Sequence, residues 1–164
     1  MSKKIYIIAI ILFIIDQLSK ALISTYLKLN QSITIIKDFF HIKYINNTGA
    51  SFGILSNSRT LLIILSFIAI ILILRYMNSF KKTKLNCIGF SLVLGGILGN
   101  LSDRILFGYV KDFFDFYIFG IDYPVFNFAD VFIVIGVWVL IISILRGEDK
   151  SGSKSSNRNK RKNR

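Results

Sequence analysis

Four long apolar runs, separated by segments of different texture, organise the chain. They cover residues 5–27, 60–77, 85–106 and 126–145, each close to the ~20 apolar residues a helix needs to cross the hydrocarbon core. The pattern predicts four membrane-spanning helices. Lys3 and Lys4 precede the first run as in a secretory leader, but no A-x-A-like cleavage site follows, so it is read as a retained span. In the second, the shortest, Arg75 has to snorkel. Between these two spans the period changes. Ile33 and Ile35 alternate with Ser32 and Thr34, and Phe40, Ile42 and Tyr44 alternate with His41 and Lys43, the signature of short half-buried strands. Residues 28–59 are therefore expected to build a small external antiparallel sheet. Residues 107–125 carry Tyr109, Phe113, Phe114, Phe116, Tyr117, Phe119 and Tyr123 and are expected to lie at headgroup level.

Composition narrows the class. Of 164 residues, 53% are hydrophobic and only 18% charged, too little polar surface for a soluble globule. With 14% aromatic residues the chain is no disordered binder either. One Cys and one His leave little room for a disulfide framework, a thiolate metal site or histidine relays. Chemistry falls to carboxylates, amides, hydroxyls, Lys and Arg, and no metal or cofactor is expected.

Charge sets the orientation. Lys3, Lys4, Arg75, Lys81, Lys82, Lys84 and Arg146, with seven more Lys/Arg in the tail, fall on one side of a four-span chain, and that side is expected to be cytoplasmic. Both termini are then inside. Residues 147–164, basic and without an apolar side chain, are expected to form a disordered tail that touches anionic lipid headgroups. No aromatic residue interleaves its charge, so nucleic acid is not the expected partner.

Ionisable groups inside a span cost at least ~2.5 kcal/mol each, which makes each a candidate for function. Asp16 and Lys20 share a helix face at i,i+4. Asn100, Arg104 and Gly96 share a face of the third span, with Asp103 three residues beyond Asn100; Asn127 and Asp130 open the fourth. At ~1.5 Å per residue, Asp16 and Asn100 stand ~16 and ~22 Å from the cytoplasmic end. Three antiparallel helices thus bring polar groups to one level in the outer half of the bilayer, and Asp112 can reach it from above. Each group alone has a plain structural reading. Asp16 with Lys20, or Asp103 with Arg104, can fix helix register; Gly95 and Gly99 can mark close helix packing; Asn46, Asn47 and Gly49 can form a hairpin turn. His41 reads as an exposed strand residue and Cys87 as packing. Convergence at one depth exceeds what register fixing needs.

The motifs DQLSK (16–20), NTGASFG (47–53), GGILGNLSDR (95–104), GYVKDFFDF (108–116) and FNFAD (126–130), in this order, resemble those of the lipoprotein signal peptidase (signal peptidase II) family. The resemblance implies an all-α polytopic membrane protein with four transmembrane helices and a small extracytoplasmic antiparallel β-cradle, the peptidase domain spanning residues 1–146. It implies a catalytic dyad of Asp112 and Asp130; the residues alone had not distinguished Asp112 from Asp103 or Asp115. It also implies that Asp16, Lys20, Asn47, Gly49, Asn100, Arg104 and Asn127 shape the site and hold substrate, with Asp103 and Ala129 as neighbours. Asn46 departs from the family, where Arg is often found. The implied substrates are prolipoproteins whose cysteine carries a diacylglyceryl thioether, cut just before that cysteine in the bacterial plasma membrane. Two nearby carboxylates share a proton, so one can act as base on water and the other as acid toward the carbonyl. An ion pathway is the main alternative, but no polar stripe continues toward the cytoplasm. An assembly factor without chemistry is another, and loss of activity on Asp to Asn substitution discriminates against it.

Overall fold

The computed structural model describes residues 3–49 and 58–149. In chain order these form α1 (Lys3–Tyr26), β1 (Ser32–Ile36), β2 (Phe40–Asn47), α2 (Arg59–Tyr76) with a 3₁₀ turn at Met77–Ser79, α3 (Lys84–Leu106), β3 (Val110–Ile118), β4 (Ile121–Asp122) and α4 (Phe128–Leu145). All four helices are long and apolar enough to span a bilayer. α4 starts at Phe128 rather than 126, because Phe126 pairs with Phe114 as an extension of the sheet and Asn127 caps the helix.

α3 is the axis of the bundle. It packs on α1, α4 and, less extensively, α2, while the other helices leave residues such as Ile7, Leu18, Ile71 and Trp138 exposed, as lipid-facing side chains are. Its small residues allow close approach. A Cβ on Gly96 would run into the Ala129 carbonyl oxygen of α4, and one on Gly95 would lie 2.9 Å from the Ala9 carbonyl oxygen of α1. The Gly95/Gly99 pair is therefore an interface with α1, where Gly99 abuts the Asp16 carboxylate.

The sheet has the order β1-β2-β3-β4, antiparallel throughout. Residues 107–125 thus do more than rest at an interface: they supply the longest strand, β3. Its period is masked in the sequence because the alternation breaks at Phe113 and Phe114: both backbone N–H groups donate to the Phe126 carbonyl, and the two rings lie 4.6 Å apart and both meet Phe128, as at a bulge. Phe114 and Phe116 face Phe40, while Asp115 and Tyr117 flank His41. β1, expected to be half-buried, is exposed along its length as an edge strand. His41 is half-buried rather than exposed and meets the Tyr117 ring edge-on at 5.1 Å. Asn46 and Asn47 form no hairpin turn; they end β2, opposite Lys111 and Val110.

At the end of the bundle away from the sheet, Gly147 (φ +67°) closes α4, with Gly147 N–H donating to Ile144 O and Glu148 N–H to Ser143 O, a Schellman ending. Glu148 then accepts from the Thr83 hydroxyl at 2.5 Å, and buried Ser143 bonds buried Asn86. Gly147 to Asp149, expected to belong to a loose tail, are docked against the start of α3. The rest of that tail lies outside the described residues, as does the 50–53 part of the NTGASFG motif.

Candidate active site

Each polar side chain singled out in the spans is delivered by a regular element, and all reach one layer. On α1 the i,i+4 pair of Asp16 and Lys20 turns inward toward α3. The Lys20 ammonium, 1% exposed, lies 2.8 Å from Asp16 Oδ2, 3.3 Å from Asp103 Oδ2 and 3.0 Å from Asn100 Oδ1. Its three protons have three acceptors. Asp103 pairs with Lys20 across the helix interface rather than with its chain neighbour Arg104, since adjacent helix positions do not face each other. The second Asp103 oxygen accepts from Gln17 at 3.1 Å, and Oδ2 also accepts from the Lys111 backbone at 3.1 Å.

Gln17 went unnoticed in the sequence. It donates to Asp103, to the Gly99 carbonyl at 3.2 Å and to Asp16 at 3.2 Å, so one amide stitches α1 to α3. An uncharged amide inside an apolar run, next to an acid, is the signal that could have found it. Arg59 was also missed: it donates to the Arg104 and Ile105 carbonyls at 2.8 and 2.9 Å, satisfying the last turn of α3. Gly108, with φ +87°, then turns the chain into β3.

The first turn of α4 is the other anchor. Its unsatisfied N–H groups are taken up from two sides. Asp16 Oδ1 accepts from the fully buried Ala129 backbone at 2.9 Å, and Asn127 Oδ1 accepts from Asp130 N–H at 3.1 Å while Asp130 Oδ2 accepts from Asn127 N–H at 3.2 Å. This is a capping box built with an Asp.

Among the described residues of this layer, two carboxylates remain without an ion pair, Asp112 on β3 and Asp130 on α4. Each is met by amides. Asp112 Oδ2 accepts from Asn47 at 2.8 Å and Oδ1 from Asn127 at 2.6 Å; Asp130 Oδ1 accepts from Asn100 at 2.7 Å. The orientation of every one of these amides is dictated from behind. Asn47 Oδ1 accepts from Gly49 N–H at 2.9 Å, Asn127 Oδ1 from Asp130 N–H, and Asn100 Oδ1 from Lys20 and from Asn127 at 3.1 Å. Backbone N–H and ammonium can only donate, so each amide must present its oxygen to them and its NH₂ to a carboxylate. Burial, then the charge of Asp130, pushes the Asp112 carboxyl up to about 7 against the pull of the Asn47 and Asn127 donors.

Asp115, three residues on, is also buried, but it lies across the sheet from His41. Burial raises its carboxyl as well, yet it is not among the residues that line the cavity of Asp130. Asp112, Asp130, Asn47, Asn100 and Arg104 instead line one cavity of about 730 Å³, walled by α2 (Leu62, Leu65, Ala69), α4 (Val131, Val134) and the 123–126 segment. Arg104 donates to the Gly49 carbonyl at 3.2 Å. The second span, devoid of ionisable groups in its middle, is the apolar wall expected of it. Among the described residues no group of three or more His, Cys, Asp or Glu side chains gathers as a metal site. The arrangement is a carboxylate pair, its Asp112 member pushed up to about 7, lining a cavity with apolar walls.

The fold and the cavity define a multi-pass membrane protein with a buried acidic site, and comparison with known proteins supplies the family. Residues 8–146 match the family described as Signal peptidase (SPase) II. The chain is 42% identical over 144 residues to the lipoprotein signal peptidase of Halothermothrix orenii, covering 88% of this chain and 97% of that one. It is 43% identical over 148 residues to that of Clostridioides difficile, covering 90% and 99%. A solved bacterial membrane enzyme superposes with a TM-score of 0.78 at 37% identity, over 87% of each chain. The chain belongs to the lipoprotein signal peptidase (signal peptidase II) family, and is a peptidase of the membrane.

Proposed function

We propose that the protein is an aspartic endopeptidase that removes the signal peptide from diacylglyceryl-modified prolipoproteins, cutting just before the lipidated cysteine, with Asp112 and Asp130 as its catalytic dyad. The observation that carries this reading is that these two carboxylates, free of any bonded cation, share Asn127 and line the same apolar cavity. An apolar cavity suits the signal segment, and a diacylglyceryl group would hold the cleavage point at the membrane boundary.

The dyad holds one proton near neutral pH. The ionised member takes a proton from water, whose oxygen attacks the peptide carbonyl; the protonated member donates to the carbonyl oxygen as the tetrahedral intermediate forms. Collapse breaks the C–N bond, and the proton taken from water passes to the leaving amine of the cysteine. Amide donors aimed from Asn47, Asn100 and Asn127 keep the carboxylates in place without neutralising them, and Arg104 and Gly49 flank the substrate path. Asp16, Lys20, Asp103 and Ala129 hold this frame.

By the distribution of Lys and Arg, both termini face the cytoplasm, which sets the dyad toward the outer leaflet of the bacterial plasma membrane. The basic tail touches anionic headgroups. Cleavage of a diacylglyceryl-modified prolipoprotein by the purified protein tests the reading. The parent and Asp122→Asn, altered on the exposed β4, should cut before the lipidated cysteine. Asp112→Asn and Asp130→Asn should fold but lose at least ~100-fold in turnover. Full activity in either dyad variant would sink the assignment.

A further inference from the structure

The wall that α2 gives to the cavity of the carboxylate pair is a single helix face. Leu62, Leu65, Ser66 and Ala69 line the cavity, at the i, i+3, i+4, i+7 spacing of one stripe. From Leu61 to Leu74 every other side chain of this helix is apolar, so Ser66 is its one polar group there, and it faces the cavity rather than lipid. Its hydroxyl donates to the Leu62 carbonyl at 2.8 Å. The single proton is thereby committed, and the oxygen keeps its lone pairs as an acceptor. Depth follows from the outer helix ends, where Arg59 of α2 bonds the Arg104 carbonyl of α3. Counted inward from there at ~1.5 Å per residue, Ser66 lies ~10 Å deep and Asn100 ~6 Å deep. Asn100 is the residue that bonds Asp130. The Ser66 hydroxyl thus stands within about one helical turn, ~5 Å, of the carboxylate layer, on its inner side.

A helical substrate keeps its carbonyls in bonds to the next turn, so attack by water requires that the chain be stretched where it meets the carboxylates. Stretching frees backbone N–H groups inside an apolar cavity, where an unpaired donor is expensive. The other polar side chains of the lining, Asn47, Asn100, Arg104, Asp112, Asp130 and Tyr123, belong to the carboxylate layer or to the outer end above it. Below that layer, among the described lining residues, Ser66 is the side-chain acceptor. A signal segment reaches the dyad from within the bilayer, that is, past Ser66. At ~3.3 Å per extended residue, an offset of ~5 Å corresponds to one or two residues. We propose that Ser66 is a substrate-binding residue of the peptidase, its Oγ accepting the backbone N–H of the first or second residue before the cleavage point. This contact rests on the peptidase reading given above and extends it from the reacting bond to the chain that precedes it.

The test is a cycle between protein and substrate backbone. A synthetic signal peptide ending in a diacylglyceryl-cysteine is made with each amide N–H of the three preceding residues replaced, one at a time, by an ester oxygen. Its binding in detergent is measured by fluorescence anisotropy on full-length Asp112→Asn, with and without Ser66→Ala. Alanine suits a helix interior, so thermal unfolding should be unchanged by the Ser66 substitution. With Ser66 present, an ester at the first or second residue should weaken binding about 3- to 10-fold, the worth of one neutral hydrogen bond. Ser66→Ala should weaken the all-amide peptide by a similar factor, and the ester at that position should then cost nothing more. Multiplying losses at both positions would overturn the contact and leave Ser66 with its Leu62 bond alone. Unchanged binding in Ser66→Ala, or coupling at the third residue only, would overturn it as well. Cleavage of the peptide by Asp112→Asn would count against the dyad and not against Ser66, since the cycle reads binding alone.

Discussion

Two pairs of carboxylates occupy the same layer of this membrane protein and differ in what lies between them. Asp16 and Asp103 are bridged by the Lys20 ammonium and the Gln17 amide; Asp112 and Asp130 are bridged by Asn127 alone, with further amides behind. A fixed cation sits between the carboxylates of the first pair and closes the interface of α1 with α3. Neutral donors position the second pair but leave its protons free to move, and it borders a cavity. Acidity in a membrane span is thus no marker of reactivity by itself. The counter-group decides.

The largest expected effect comes from breaking the bridged pair. Lys20→Met strands two buried carboxylates beside each other, and removing one partner of such a buried network costs ~3–5 kcal/mol. Thermal unfolding in detergent should show it, and adding Asp103→Asn to that variant should recover part of the loss. If Lys20→Met were as stable as the parent, the contrast between the two pairs would collapse.

A smaller effect is expected where the two pairs meet, at Asn100, which accepts from Lys20 and donates to Asp130. Asn100→Ala deletes a hydrogen bond to a charged group worth ~1.5–3 kcal/mol, so kcat should fall on the order of 10- to 100-fold with KM little changed. A rise in KM alone would make Asn100 a substrate contact rather than a support of the carboxylate.

A third expected effect is on pH. Asp112 sits at about 7 in the fold against an ordinary 3.8, so the folded chain binds its proton more tightly. Its contribution to stability is full below about pH 4 and is lost as pH rises through 7. The parent should therefore lose melting temperature relative to Asp112→Asn between pH 5 and 8, whereas activity should follow a bell with one limb near 7. A pH-independent difference between the two proteins would show that Asp112 titrates normally.

The helices were legible because twenty consecutive apolar residues admit few other structures. The convergence of Asp16, Asn100 and Asn127 was legible from depth along antiparallel helices. β3 was not, since the alternation that reveals a strand breaks at Phe113 and Phe114, whose rings meet each other and Phe128. Nor could the sequence separate Asp103, Asp112 and Asp115. Only the turn at Gly108 and the course of β3 send the first to Lys20, the second to the cavity and the third to His41. Lys20 with Asp16 was readable at i,i+4, but its bond to Asp103 crosses helices and follows from packing at Gly99.

The contact of Gly96 with the Ala129 carbonyl has a mechanical consequence. Where backbones touch, two helices have no slack between them, and α3 and α4 must breathe as a single body, with α1 tied in by Asp16 at Ala129. α2 is tied to α3 at its start, where Arg59 donates to the Arg104 and Ile105 carbonyls; along its length it buries only Leu62 and faces the cavity with aliphatic side chains that can slide. Room for a bulky substrate chain is made most cheaply by displacing α2, and amide exchange should be fastest there and slowest along the seam of α3 and α4. The enzyme is built as a rigid anvil with one loose jaw.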